Sequence, residues 1–254
     1  MPSYIGHVAC ANELAKKLKL SEDEKMRFLI GNLIPDIKQV DIDYSLDEFI
    51  NKKNIQRSKR ITHFRRKTNK ILEFPNCDVF LEKYEREIKE HIETLAYFFH
   101  LCTDYYYFRI YLPKVITFMD SSFNVVTERD NFYYVKIKKN DEIVKAKSFF
   151  SKLSPRSLYK EYSRSDSYLI KRFKIDLNVD KLRAYVERHD YNCYVEEIDL
   201  TKIYDVFNRL DKIYDRLNDD KMLVFEESGL DHFVKDVVNI FIDNYGYLLD
   251  KYRN

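Results

Sequence analysis

One run, Ala96-Tyr97-Phe98-Phe99-His100-Leu101-Cys102-Thr103-Asp104-Tyr105-Tyr106-Tyr107-Phe108, constrains this chain more than any other stretch. It is apolar over nearly the whole circumference of a helix, so it belongs in a protein interior, yet it carries an imidazole at His100 and a carboxylate at Asp104. Four residues apart on a helix, these two side chains share a face. Leaving an unpaired carboxylate in an apolar interior costs on the order of several kcal/mol even after relaxation. The run therefore predicts a buried helix whose two polar groups meet a common partner. A divalent cation would serve both; the plainer alternative is a pair of side chains satisfied by internal hydrogen bonds.

The rest of the chain reads as helical. Four glycines and five prolines punctuate 254 residues, fewer than strands joined by tight turns normally use. Ser3 to Leu20 carries Ile5, Val8, Leu14, Ala15 and Leu18 at helical spacing, and Ser21 with Glu24 makes a capping box for a second helix. That helix should stop by Ile34, because Pro35 disfavours the α conformation in the residue before it, leaving Asp36 just beyond the helix end and free to turn toward a pocket. Residues 37–62 read as a polar connection, with a helical turn or two between Tyr44 and Ile50. Further helices are expected over Cys77 to Lys89, Glu93 to about Leu112, Pro155 to Phe173, Val179 to Arg188, Asp199 to Leu217 and Leu230 to Tyr252. Between Ser121 and Phe150 the character changes, and Phe132 to Ile137 with Ile143-Val144 suggests one short β-hairpin. The expectation is a mainly α, multi-helix bundle forming a single domain over residues 1–254, with 121–150 an excursion from it.

Lysine and arginine number 44 against 42 acidic residues, a net charge of +2 that argues against a generally nucleic-acid-coating protein. No stable nucleic-acid partner is expected. The balance is nevertheless uneven along the chain. Lys52, Lys53, Arg57, Lys59, Arg60, Arg65, Arg66, Lys67 and Lys70 crowd into residues 51–70, where no acidic residue stands. Cys10, Cys77, Cys102 and Cys193 are widely separated and read as reduced thiols packed as small apolar groups. With no signal-peptide pattern and no stretch approaching eighteen apolar residues, a cytoplasmic protein without a transmembrane segment is expected.

Oxygen and nitrogen donors recur ahead of the aromatic run, at His7, Asp36 and His63. Together with His100 and Asp104 they make a set without thiolate, which suits zinc in hydrolytic sites and also admits manganese or iron. Arg65 and Arg66, just after His63, are placed to draw an anionic phosphate toward such a site; the plainer reading of that basic stretch is a solvated loop. Tyr97, Tyr105, Tyr106 and Tyr107 are expected mainly in the core rather than lining a ligand pocket.

The order of Gly6-His7, then Gly31-Asn32-Leu33-Ile34-Pro35-Asp36, an isolated His63, and the His100 to Asp104 spacing in a Tyr/Phe-rich helix resembles the zinc-dependent phospholipase C family. The likeness covers roughly the first 110 residues. It implies an all-helical fold around a cluster of up to three zinc ions that hydrolyses a phosphodiester. By that resemblance Asp36, His63, His100 and Asp104 would hold one metal, and Asp104 would bridge to a second that His7 also binds. The family completes this second metal with a mature N-terminal residue exposed by removal of a signal peptide; here water or another side chain is expected in its place. The family's third metal uses a histidine six residues beyond the aspartate, where this chain has Ile110. His232 and Asp236, spaced as H-x3-D, are the available substitute pair, set against the alternative of a helix-surface ion pair.

The resemblance implies a metal-dependent phosphoester hydrolase, a phospholipase C-like phosphodiesterase using metal-activated water, with Asp36 as ligand and proton acceptor and one or two zinc ions. A phosphoester small molecule or a lipid headgroup would be its substrate. A single-strand nuclease is the second enzymatic reading, because a nuclease family shares the trinuclear fold. The non-enzymatic alternative is a helical protein in which the metal is a structural staple.

Overall fold

The computed structural model describes residues 2–37, 60–65, 72–151 and 157–252. It is mainly α-helical with one small antiparallel sheet. Helix α1 spans Tyr4–Leu18, α2 Glu22–Leu33, α3 Cys77–Glu90 and α4 Ile92–Tyr106, and short helices α5 and α6 cover Leu112–Val115 and Ala146–Phe149. Then come α7 Leu158–Phe173, α8 Val179–Arg188, α9 Ile203–Tyr214 and α10 Glu227–Tyr245. The helical turns anticipated between Tyr44 and Ile50 lie outside the described residues.

Capping residues set the first two helices. The Ser3 hydroxyl accepts from Gly6 N at 2.9 Å to start α1, and Lys19, left-handed at φ 56°, ends it. The capping box of α2 is formed in both directions between Ser21 and Glu24. Pro35 acts differently from the expectation. Ile34 keeps a right-handed helical conformation, and the chain tightens into a 3-10 turn over Ile34–Asp36 with the proline inside its first turn. A proline there loses nothing, because its missing N–H belongs to the start of the new turn.

Helix α4 is the hub, packed against α1, α2, α3 and α10. Tyr97, Phe98, Phe99 and Leu101 are fully buried, and aromatic contacts carry the packing outward through Phe80, Phe28, Phe241 and Tyr245. Tyr97, Tyr106 and Tyr107 are core residues as expected, whereas Tyr105 is exposed. A single helix to Leu112 was expected; instead a π turn occupies Tyr107–Tyr111 between α4 and α5. The wider turn lets Tyr107, Phe108 and Tyr111 all be buried, with Tyr107 and Tyr111 both against Phe233.

The sheet has strand order β2-β1-β3-β4: β1 is Ile116–Met119, β2 Val125–Val126, β3 Tyr134–Ile137 and β4 Ile143–Lys145. The expected hairpin is the β3–β4 pair, turned at Asp141 with φ 59°. Strands β1 and β2 extend it beyond the sequence expectation. Ile116, Phe118, Val135 and Ile137 face inward, so the sheet covers the core with one side only. No helix among the described residues is long and apolar enough to cross a membrane.

The N-cap of α1 is tied to α7. The Ser3 hydroxyl also donates to the buried carboxyl of Asp166, and burial pushes that carboxyl up to about 7. An unfolded chain gives up the same proton near pH 3.9, so between roughly pH 3.9 and 7 the folded state holds more protons. The stability this group contributes is full below that window and is lost as pH rises through it. Asp166→Asn is expected to flatten the fall in the urea midpoint between about pH 4.5 and 7.5 relative to the unsubstituted protein. Parallel curves for the two proteins would show that the carboxyl does not titrate in this way.

Candidate metal centre

Four segments bring donors to one point. His7 sits on the first full turn of α1, Asp36 ends the 3-10 turn after α2, His63 follows a helical turn over 60–62, and His100 and Asp104 project from α4. The chain turns sharply just after His63. Phe64 is left-handed at φ 53°, and its ring is held edge-on against Phe80 at 5.1 Å. That contact fixes the segment on the core.

All five donors are buried to 2 % exposure or less. His7 Nε2 stands 3.2 Å from Asp104 Oδ1, and His63 Nε2 stands 3.4 Å from Asp104 Oδ2, 3.4 Å from His100 Nε2 and 3.8 Å from Asp36 Oδ1. The His7 and His100 rings stack face to face with centroids 3.8 Å apart. Donors about 2.0–2.2 Å from a tetrahedral zinc lie roughly 3.3–3.6 Å from one another, so most of these separations are those of a shared cation and the Asp36 separation is slightly wider. Two groups of three satisfy metal-ligand spacing: His7, His100 and Asp104, and Asp36, His63 and His100.

Supporting hydrogen bonds determine what each donor offers. His100 Nδ1 lies 2.7 Å from the Asn32 carbonyl oxygen, which only accepts, so Nδ1 carries the proton and Nε2 presents its lone pair to the cluster. Asn32 is held in turn by its own side chain, which donates to the Ala96 carbonyl at 3.3 Å. His63 Nδ1 pairs with Thr62 Oγ1 at 2.9 Å, and the Tyr97 hydroxyl donates to the Thr62 carbonyl. Behind Asp36, Arg209 donates to its backbone carbonyl at 3.1 Å and to the Tyr4 hydroxyl at 2.8 Å.

Burial, aided by the positive charge of Arg65, pushes the His63 imidazole down to about 4. Burial and the neighbouring His7 hold His100 well below the usual histidine range. Both rings are neutral at pH 7, the state that binds metal. Burial by itself raises the Asp104 carboxyl, but nearby positive charge and the close approach of the His63 and His7 ring nitrogens outweigh burial and keep it well below the usual carboxylate range. The result is an ionised carboxylate beside the neutral His63 and His100 rings.

The donor set fits a zinc-type cation on its own chemistry. His7 Nδ1 and Nε2 and Asp104 Oδ1 are buried with no hydrogen-bond partner, because the 3.2 Å approach of Nε2 to Oδ1 lacks hydrogen-bond alignment. His100 belongs to both groups of three, but its single unprotonated nitrogen can serve only one ion. Asp104 is the residue that faces both ways, with Oδ1 toward His7 and Oδ2 toward His63.

Two other expectations fare differently. Arg65 places Nη2 3.2 Å from Asp104 Oδ2 and is mostly buried, so it is part of the cluster rather than of a solvated loop; Arg66 lies outside the described residues. His232 does not join the centre: it is exposed on α10, while Asp236 accepts from Tyr106 at 3.2 Å and faces Lys114 at 3.9 Å. A pair on the outer side of α10 cannot reach donors buried behind α4. Sequence reasoning did not single out Asn32, Thr62 or Arg209 as supporting residues. Asn32 and Thr62 adjoin the motif residues, which was the available signal, whereas Arg209 comes from α9 and has none.

No family model, curated protein or solved structure matches this chain.

Proposed function

We propose that this protein is a metal-dependent phosphoester hydrolase of phospholipase C-like type. The observation that carries the reading is the convergence of five buried nitrogen and oxygen donors from four separate segments, with an ionised carboxylate at the centre. Asp36, His63, His100 and Asp104 would hold one zinc, and His7 with Asp104 would supply donors to a second. Manganese or iron fits the same donors. When bound, such a cation supplies Lewis acidity that lowers the pKa of a water toward about 7 and neutralises charge on phosphoryl oxygens.

The protein's own residues supply the remainder. Asp36, at the end of its turn, accepts a proton from the attacking water. Asn32 and Thr62 hold the His100 and His63 rings in the orientations that present Nε2. Arg65, next to Asp104, offers a guanidinium for an anionic phosphate oxygen. A soluble phosphoester or a lipid headgroup would be the substrate, in a cytoplasmic setting.

Burial favours a second reading. All five donors are at most 2 % exposed, as expected for a structural metal that staples α1, the turn after α2, the His63 segment and α4.

Elemental analysis of protein grown or dialysed with zinc or manganese is the first test, followed by assays with para-nitrophenyl phosphodiesters and monoesters, phosphatidylcholine and single-stranded DNA. About one tightly held ion per chain and turnover of a phosphoester are expected. Absence of stoichiometric metal from every preparation would sink both readings. Metal without turnover of any of these substrates would leave the structural staple.

A further inference from the structure

Cys77 and Cys102 are 25 residues apart in sequence, yet their sulfurs are 3.9 Å apart. Cys77 is the first residue of α3 and Cys102 lies on α4, midway between His100 and Asp104. Two residues along a helix turn a side chain through about 200°, so Cys102 points away from the metal donors on its own helix. Neither thiol belongs to either candidate ligand group.

The pair is also reachable. Both cysteines line a cavity of about 720 Å³ whose wall includes Tyr105, Ile110 and Ile240, all exposed to solvent. Each cysteine retains about 9 % exposure, while Cys10 and Cys193 are buried to 0 % and 1 % and line no part of this cavity. A small oxidant therefore has a path to two thiols already in contact. Side-chain rotation has to close 3.9 Å to the roughly 2.0 Å of a disulfide.

We propose that Cys77 and Cys102 are a reversible oxidation site, a dithiol that peroxide converts to a disulfide joining α3 to α4, the helix that carries His100 and Asp104. In the first step one thiol sulfur attacks a peroxide oxygen, the O–O bond breaks, and a sulfenic acid and one water form. In the second, the other thiol attacks the sulfenic sulfur and displaces a second water. Two thiols and one peroxide become one disulfide and two waters; sulfur is oxidised and peroxide oxygen reduced. A dithiol reductant reverses the change. The proposal does not depend on the metal reading.

The test uses the full folded chain, treated with hydrogen peroxide, quenched and mapped by peptide mass spectrometry without reduction. Four thiols per chain are expected to fall to two, with loss of two hydrogens from the intact mass and one cross-linked peptide pair joining Cys77 to Cys102. The melting temperature should rise by roughly 5–10 °C and return on reduction with dithiothreitol. Cys77→Ser and Cys102→Ser should each abolish the cross-link, and Cys10→Ser and Cys193→Ser should each retain it. Mapping of the unsubstituted chain decides the matter even where a variant misfolds. A thiol count unchanged at four, cross-links between chains, or oxidation of either cysteine to sulfinic acid without the internal cross-link would overturn the proposal.

Discussion

Asp104→Asn is expected to weaken zinc binding by roughly 10²-fold or more, beyond the 10–100-fold typical of losing an outer-shell partner. The substitution keeps the size and shape of the side chain and removes its negative charge. Asp104 is the residue whose two oxygens face His7 and His63, and its carboxylate is held ionised. An amide presents one carbonyl oxygen and no charge, so it cannot replace both contacts. His100→Ala should have a comparable effect, because it removes the only unprotonated nitrogen common to both donor groups. Competition against a chromophoric chelator measures the loss, and circular dichroism of each variant checks that the helices persist. If Asp104→Asn binds zinc as tightly as the unsubstituted protein, the carboxylate is a satisfied core group and the metal reading fails.

Gly31→Ala is expected to destabilise the protein by about 1–3 kcal/mol, although alanine favours a helix over glycine by about 1 kcal/mol. A Cβ at position 31 would lie 2.5 Å from the Glu93 carbonyl oxygen, 2.9 Å from Glu93 Cα and 3.0 Å from Ala96 Cβ. Two of those atoms are backbone, so the new methyl cannot be accommodated by rotating a side chain. Helices α2 and α4 have to separate instead. Asn32, the next residue, holds His100 through its carbonyl and grips Ala96 with its side chain, so the same separation loosens a candidate metal donor. Urea denaturation measures the stability and zinc titration the coupled loss. A variant as stable as the parent would mean that the two helices approach less closely than 2.5 Å implies.

These two sites show how unevenly the protein is legible in its sequence. His100 and Asp104 announce themselves, because an imidazole and a carboxylate on one face of an aromatic helix are energetically anomalous wherever the helix packs. His7, Asp36 and His63 could be nominated by residue type and order, but nothing local says that they converge. Gly31 reads as a neutral interruption of α2 until the opposing backbone of Glu93 is in place. The π turn at Tyr107–Tyr111 is likewise silent in the sequence, since its cause is the burial of neighbouring aromatics against Phe233 on a helix more than a hundred residues later.

The cysteines illustrate the same limit. Spacing showed no motif, and the reading as small packed thiols was reasonable for Cys10 and Cys193. Cys77 and Cys102 are free and buried as well, as that reading expects; that they touch follows from how α3 folds back on α4. His91, extended at φ −128°, is the single residue between those helices and makes that return possible.

Local rules were sufficient for the mainly helical class, for the capping box at Ser21 and Glu24, and for the buried character of α4, since each depends on interactions within a few turns of chain. They could not place His7 against Asp104, commit Arg65 to the same carboxylate, leave His232 on the outside, or bring two thiols into contact. Those outcomes depend on which helix faces lie together, a property of packing between distant segments. The polar anomaly in the aromatic helix was therefore visible from residues 96–108 alone, and its four-segment surroundings were decided only by the tertiary fold.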